Sequence, residues 1–186
     1  LDIKVPSDIN YYNSYKFKKD NPLDLPAKFS LLHLDEKWFE GHYYDDFNYM
    51  NLNLKNFKLL IETIIKKFGK NIILTSGKIN IKQFEIIKNN YFKKIKKNIF
   101  RCEMFDKVIF FYDNTDFRDL ENIVKYSDEV ICCEGAISHV SNAFNIKTFA
   151  LINNLRTAKF WTNHMKNIKL LKRDNIAKLC RQISLL

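Results

Sequence analysis

The sequence predicts an α/β protein with a Rossmann-like, doubly wound, mostly parallel sheet of about six strands and helices on both faces. From residue 29 onward, short apolar or β-branched runs alternate with longer segments of helical periodicity. Alternation of this kind joins parallel strands by right-handed helical crossovers, which places helices on both sides of the sheet. At 186 residues the chain is long enough for one domain with a substantial buried core.

The elements follow one another in a regular order. The strands are predicted at 29–35, 71–77, 107–113, 129–134, 147–153 and 168–171. The helices, whose apolar residues recur every three or four positions, are predicted at 53–69, 80–95, 115–127, 137–145 and 175–186. Gly69 is a C-cap signal, and Asn80 and either Thr115 or Asp116 are suited to the N-cap positions. The aromatic segment 155–165 is predicted to be a loop.

The first part of the chain differs from the rest. Residues 1–28 are rich in Tyr, Lys, Asn and Pro and have no strong periodicity, and Pro22 and Pro26 would break a helix. We therefore expect an N-terminal arm or interdomain linker over 1–28, followed by one Rossmann-like domain over 29–186.

The charge composition indicates which kinds of partner to expect. The formal net charge is +10, and a basic surface attracts polyanions. The lysines are scattered through amphipathic segments, which favours a solvated lysine-rich face, so nucleic acid is not expected as a partner.

Compartment is indicated by what the sequence lacks. The first ten residues have no signal-peptide pattern, and no run approaches the 18 apolar residues of a transmembrane helix. The four cysteines form no C-x-x-C pair, so we expect reduced, mostly buried thiols and neither a disulfide framework nor a zinc site. These features favour a cytoplasmic protein, and the basic surface is compatible with peripheral contact at the inner face of the membrane.

The chemistry of such folds lies outside the carboxyl ends of the strands, near the point where the strand order reverses. Neither the G-x-G-x-x-G fingerprint nor the P-loop pattern is present, which excludes both ordinary nucleotide sites. Four strand-to-helix junctions remain as candidates, and the one at residues 131–144, ICCEGAISHVSNAF, has the most distinctive composition.

This junction is suited to a diphosphate. Gly135 and Ala136 allow a ligand close to the backbone, and amides at the start of the following helix favour an anion. Glu134 would accept a hydrogen bond from a ribose or sugar hydroxyl, and His139 could donate to a phosphate oxygen. A purely structural interpretation is at least equally compatible: Gly135 makes the turn, Glu134 caps the helix and His139 packs on the sheet.

Three further candidates follow the first two strands. Lys37 would place a mobile ammonium at the mouth of the first strand, although an exposed lysine needs no function. Ser76 and Gly77, after the second strand, are secondary candidates for donor binding. Trp38 and Phe39 could stack on a base or cover the sheet edge, and we favour the cover.

Several segments resemble the C-terminal, donor-binding half of glycosyltransferase family 9, the ADP-heptose:lipopolysaccharide heptosyltransferases. These segments are LLHLDEKW, IILTSG, EGAISHVSNAFNIKTFALI and KFWTNH. The resemblance spans roughly residues 29 to 186 and implies the C-terminal lobe of a two-lobed GT-B fold.

The family motif D-[ST]-G-x-x-H-x-A-x-A-x-G-x-P-T-x-A-L can be followed through the third of these segments. Glu134 stands at the family's Asp, Gly135 at its Ser or Thr, Ala136 at its Gly and His139 at its His, with Thr148 retained. The acid and the glycine have thus both changed. The longer acid shifts a hydroxyl contact by about one bond length, ~1.5 Å, so the sugar need not be heptose.

Other positions agree or depart in the same way. Lys37 falls at the family's phosphate-contacting lysine, and Trp161 falls at a tryptophan beyond the fifth strand. Asn145 and Lys147 replace the motif's later Gly and Pro.

The resemblance implies that 29–186 is the nucleotide-sugar-binding domain of a glycosyltransferase. Such an enzyme transfers a hexosyl or heptosyl group from a nucleotide diphosphate sugar to a glycan or lipopolysaccharide-type acceptor, with no cofactor and no metal. Lys37, Glu134, Gly135, Ala136 and His139 would bind the donor, while the catalytic base would lie outside this chain in an N-terminal lobe. We therefore expect the 186 residues alone to bind donor weakly and to turn over little. Two alternatives stay open: a non-catalytic Rossmann-like binding module, and a sugar-nucleotide epimerase-like GT-B protein. An RNA-binding domain ranks last.

Overall fold

The structure is a computed structural model that describes residues 23, 25–39, 50–77 and 81–186. Within these residues there is one eight-stranded sheet: β1 Phe29–Leu34, β2 Asn71–Ser76, β3 Lys93–Lys96, β4 Ile99–Met104, β5 Lys107–Tyr112, β6 Glu129–Cys133, β7 Lys147–Ile152 and β8 Ile168–Lys172. The helices are α1 Leu54–Phe68, α2 Lys82–Tyr91, α3 Phe117–Tyr126, α4 Ala136–Ala143, α5 Leu155–Thr162 and α6 Ile176–Ser184, and a 3₁₀ turn spans Glu36–Trp38. The predicted arm or linker lies almost entirely outside the described residues and stays a prediction.

The strand order is β3-β4-β5-β2-β1-β6-β7-β8. β4 runs antiparallel to β3 and β5, and the remaining neighbours pair in parallel. The predicted fold class, an α/β Rossmann-like and mostly parallel sheet flanked by helices, is confirmed.

Each face of the sheet buries its own core, because side chains alternate between the faces along a strand. Leu32 and Leu34 of β1 belong to the cluster that contains residues of α1, α2 and α6. Phe29 and Leu31 belong to the cluster that contains residues of α3 and α4. Trp38 is fully buried and donates from Nε1 to the His33 carbonyl (3.1 Å), so it covers the sheet as expected.

Two of the sheet's strands were not predicted. The helix predicted over 80–95 ends at Tyr91, and Phe92 turns the chain into the β3–β4 hairpin. Pairing of β4 with β5 outweighs the helical periodicity of the lysine-rich segment, since strand formation depends on cross-strand neighbours more than on local preference. Asn80, the predicted cap, lies outside the described residues, and Ile81 occupies the N-cap position of α2.

The loop predicted over 155–165 was also wrong in its first part, where α5 forms. The Asn154 side chain caps this helix by accepting from the amides of Arg156 (2.9 Å) and Thr157 (3.4 Å). Ala158 and Thr162, four positions apart, bury one side of the helix. The aromatic composition of the segment thus masked a short amphipathic helical pattern in the sequence.

Three of the four cysteines, Cys132, Cys133 and Cys180, are buried, as expected. In the part of the chain that the structure describes, no helix is long and apolar enough to cross a membrane.

Candidate functional site

The strand order reverses between β1 and β6. The chain proceeds from β1 to β2 on one side, while β6 lies on the other side of β1. The loops that follow these two strands therefore diverge, and a crevice opens between them at the carboxyl end of the sheet. Lys37 lies in the loop after β1, and Glu134 and Gly135 lie in the bend after β6.

The Lys37 ammonium crosses this crevice. Its Nζ donates to the carbonyl oxygen of Glu134 (2.5 Å) and lies 3.7 Å from Oδ2 of Asp35. Asp35 caps the 3₁₀ turn, because its Oδ1 accepts from the amide of Lys37 (3.1 Å), the middle residue of the turn, and so fixes the backbone that carries the lysine side chain. The side chain keeps 23% of its surface exposed, so the ammonium stays accessible to a ligand.

The backbone conformation of Gly135 favours a residue without a side chain, and Lys37 lies close to this residue. Its φ of 154° and ψ of −162° lie in a region that residues with a side chain rarely adopt. A Cβ on Gly135 would also lie only 3.4 Å from Nζ of Lys37. Ala136, which is exposed, begins α4 directly after the bend. The small-residue surface predicted here therefore exists, and the ammonium is next to it.

The carboxylate of Glu134 is unusual among the described residues. Its Oε2 is buried and has no hydrogen-bond partner in the described part of the chain. A buried acceptor without a donor is costly, by about 1–3 kcal/mol. A ligand hydroxyl would satisfy it.

His139 does not pack on the sheet. It is exposed on α4, and its ring centroid lies 6.0 Å from that of Trp161 on α5 and 5.9 Å from that of His164 just beyond. His164 was missed as a neighbour of the site because the segment that carries it was predicted to be a loop. The spacing from Trp161 to His164 along a helix end was the signal that could have found it.

Two clefts flank the bend and share Gly135. One, of about 430 Å³, lies between α4 and α5 and is lined by Glu134, His139, Asn154 and Trp161 among others. The other, of about 370 Å³, lies toward β2 and α3. The two clefts together form a trough with the Lys37 ammonium and the glycine at its middle.

Ser76 and Gly77, the secondary candidates, line the second cleft. The Ser76 hydroxyl donates to Oδ1 of Asp113 (3.2 Å) and accepts from the Asn114 amide (3.1 Å). It is therefore already engaged in holding the turn after β5, and its role in donor binding stays a prediction.

Two buried ionisable groups lie beneath the trough. Burial raises the pKa of Asp35 to about 6, although the Lys37 ammonium acts in the opposite direction. Burial, together with Lys37, lowers the pKa of His33 to about 4, so this imidazole is neutral at pH 7. Its Nδ1 lies 2.9 Å from the Thr75 hydroxyl.

Comparison with known proteins supports the fold and does not identify a family. No protein-family model and no curated protein matches the chain. The chain is similar to the solved structure of UDP-GlcNAc 2-epimerase from Methanocaldococcus jannaschii, with a TM-score of 0.54 and 13% identity. The match covers 87% of this chain and 39% of that one, so the chain spans about two fifths of its neighbour's length. The likeness supports a GT-B-like fold, whereas the resemblance to glycosyltransferase family 9 rests on the motifs alone.

Proposed function

We propose that this chain binds a nucleotide diphosphate sugar at the crevice between β1 and β6 and is the donor-binding part of a glycosyltransferase. One observation carries the proposal: the Lys37 ammonium is held on the Glu134 carbonyl beside Gly135, where the backbone has no side chain to block a ligand. A pyrophosphate placed on this bend would meet the ammonium and the start of α4 together.

The chemical role of these groups is electrostatic. When the bond between the sugar and the diphosphate breaks, negative charge grows on the leaving group, and Lys37 would stabilise it. A single well-placed donor of this kind contributes about 3–4 kcal/mol to the transition state. Glu134 would orient the donor by accepting a hydrogen bond from a sugar or ribose hydroxyl at its unsatisfied Oε2.

The remaining parts of the reaction are proposed to come from elsewhere. A general base and the glycan acceptor site would belong to a second lobe, as in the family that the motifs resemble. The sugar and the lipopolysaccharide-type acceptor rest on that resemblance alone, and the changes at Glu134 and Ala136 argue against carrying heptose over. That no metal or cofactor is needed stays a prediction.

Two other functions remain as candidates. The structural neighbour favours a sugar-nucleotide epimerase, which would use the same kind of ligand in the same fold class. The altered motif favours a binding module without catalysis. All three candidates share donor binding, which is therefore the property to test first.

Titration calorimetry of the chain with UDP-GlcNAc, ADP-glucose and GDP-mannose tests donor binding. We expect saturable binding of at least one, and Lys37→Met should weaken it by about tenfold or more, which corresponds to ~1.4 kcal/mol. Lys66→Met is the matched control, because that lysine is 74% exposed on α1 and forms a surface ion pair with Glu62 (2.7 Å). Absence of binding by all three sugars, or equal affinity of the two variants, contradicts the proposal.

Product analysis separates the three candidates. Slow release of nucleoside diphosphate and free or transferred sugar indicates a transferase. Inversion at C2 of UDP-GlcNAc indicates an epimerase, and donor binding without turnover, even when the proposed second lobe is supplied, indicates a binding module.

A further inference from the structure

Asp35 lies directly beneath the Lys37 side chain in the wall of the second cleft. Its carboxylate contacts that residue twice: Oδ1 accepts from the Lys37 amide at 3.1 Å, and Oδ2 lies 3.7 Å from Nζ. The Asp35 side chain is 15% exposed. Gly77 packs against it, since a Cβ on that glycine would lie 3.8 Å from Cβ of Asp35.

The Lys37 ammonium is thus held by two groups, and the Lys37 backbone amide is held as well. The Glu134 carbonyl takes one N–H of the ammonium, and the Asp35 carboxylate holds it by charge. An ammonium has three N–H donors, so donors are left for a ligand. Fixing a lysine side chain costs rotamer entropy, and a protein in which the lysine is already fixed binds its ligand more tightly.

We propose that Asp35 positions the Lys37 ammonium for the pyrophosphate and that protonation of the Asp35 carboxyl releases it, which weakens donor binding at acidic pH. This inference rests on the proposed function. Asp35 is a positioning residue, since it acts on the donor through Lys37.

The surroundings of Asp35 set the pH range. Burial raises its pKa to about 6, against the Lys37 and Arg173 charges and with a smaller contribution from Glu36 in the burial direction. The other ionisable groups around it are uncharged at pH 7, because burial lowers the pKa of His33 and raises the pKa of Cys132 and Cys133. The carboxylate therefore holds Lys37 above about pH 6 and loses this attraction below it.

The test is the pH dependence of binding by calorimetry, with the tightest of the three nucleotide sugars. A nucleotide sugar is the right probe because its pyrophosphate is esterified at both ends and has no phosphate that titrates near pH 6. Wild type is the background for the variants, so that every other ionisable group of the site is the same in Asp35→Asn and in its reference.

In that background we expect the dissociation constant to rise about fivefold or more from about pH 7.5 to about pH 5. Asp35→Asn should bind about fivefold more weakly at pH 7.5 and should lose most of the pH dependence. Asp128→Asn is the matched control, because Asp128 also pairs with a lysine, at 3.3 Å, but at the opposite end of the sheet. It should keep both the affinity and the pH profile of the background.

The outcomes are distinguishable. If no nucleotide sugar binds at either pH, the proposed function fails. If binding is saturable and depends on Lys37, but Asp35→Asn binds as tightly as the background or the profile is flat, the proposed function stands and the role of Asp35 is wrong. Circular dichroism and chemical unfolding of each variant show that weaker binding does not come from loss of the fold.

Discussion

The charged residues at the amino end of β2 and β6 and those at the carboxyl-end crevice between β1 and β6 are of the same kinds but are arranged in opposite ways. At the amino end, Lys70 pairs with Glu129 (2.7 Å) and Asp128 (3.3 Å), and Glu129 also accepts from the Ser30 hydroxyl. At the carboxyl end, Lys37 donates to a backbone carbonyl and lies 3.7 Å from the nearest carboxylate oxygen.

The direction of the pKa shifts expresses this difference. Burial alone would lower the pKa of Lys70, but Glu129 and Asp128 raise it overall, so the paired charges are favoured. At Asp35 burial dominates and raises the pKa, so the charged carboxylate is disfavoured. The amino end uses its charges to hold strands together, whereas the carboxyl end keeps charges that a ligand could satisfy. Groups disfavoured in this way are typical of functional sites.

The largest expected effect is at the amino end. Lys70→Met should lower the free energy of unfolding by about 3 kcal/mol at pH 7, because it leaves the Glu129 carboxylate, which is 5% exposed, without its cation. Chemical unfolding of both proteins measures the difference. Lys66→Met, which breaks an exposed pair with Glu62 (2.7 Å), should cost about 0.5 kcal/mol or less.

A loss below about 1 kcal/mol for Lys70→Met would mean that the amino-end charges contribute no more than an exposed ion pair. The comparison between the two ends would then rest on the carboxyl end alone. Donor binding by the folded variant should not change, since Lys70 lies at the other end of the sheet.

The second largest expected effect is a gain in stability, and it comes from a substitution of Asp35 at the carboxyl end. The pKa of Asp35 in the folded protein, about 6, is above the ordinary 3.8. The unfolded chain therefore releases this proton first, and the native fold loses stability as the pH rises from about 4 through about 6. Asp35→Asn removes that loss, so it should gain about 2 kcal/mol relative to wild type at pH 8 compared with pH 4.

Unfolding of both proteins at several pH values measures this gain. A variant that is more stable at pH 8 and binds donor more weakly would show that the Asp35 charge is kept for binding at a cost in stability. Equal pH dependence of the two proteins would mean that Asp35 is not disfavoured by burial.

How much of this could be predicted from the sequence depends on the range of the interaction. Alternation of apolar runs and amphipathic helices is local, so β1 and α1 were predicted within a residue or two. The position of Lys37 after β1 and of Gly135 after β6 followed from the same pattern, because parallel strands place their carboxyl ends at one edge.

The features that could not be predicted from the sequence depend on contacts between distant parts of the chain. The β3–β4 hairpin has Lys93–Lys96 exposed throughout and is held by pairing with β5, which no local pattern reports. Lys70 and Glu129 are 59 positions apart, so their pair follows from the strand order alone. The role of Asp35 needed both its burial and the geometry of the 3₁₀ turn.

The smallest expected effect tests how much Asp128 and Glu129 each contribute to the ion pairing of Lys70. Asp128 is 36% exposed, lies 3.3 Å from Lys70 and accepts from the Phe29 amide at 3.1 Å. Asp128→Asn keeps an acceptor for that amide and removes only the charge, so the free energy of unfolding should fall by about 0.5 kcal/mol. Half or more of this loss should disappear in a Lys70→Met background, where the cation is absent. A loss as large as that of Lys70→Met would mean that the main partner of Lys70 is the exposed Asp128 rather than the buried Glu129. The amino-end charges would then act as a surface ion pair, and the contrast with the crevice at the carboxyl end would lose its basis.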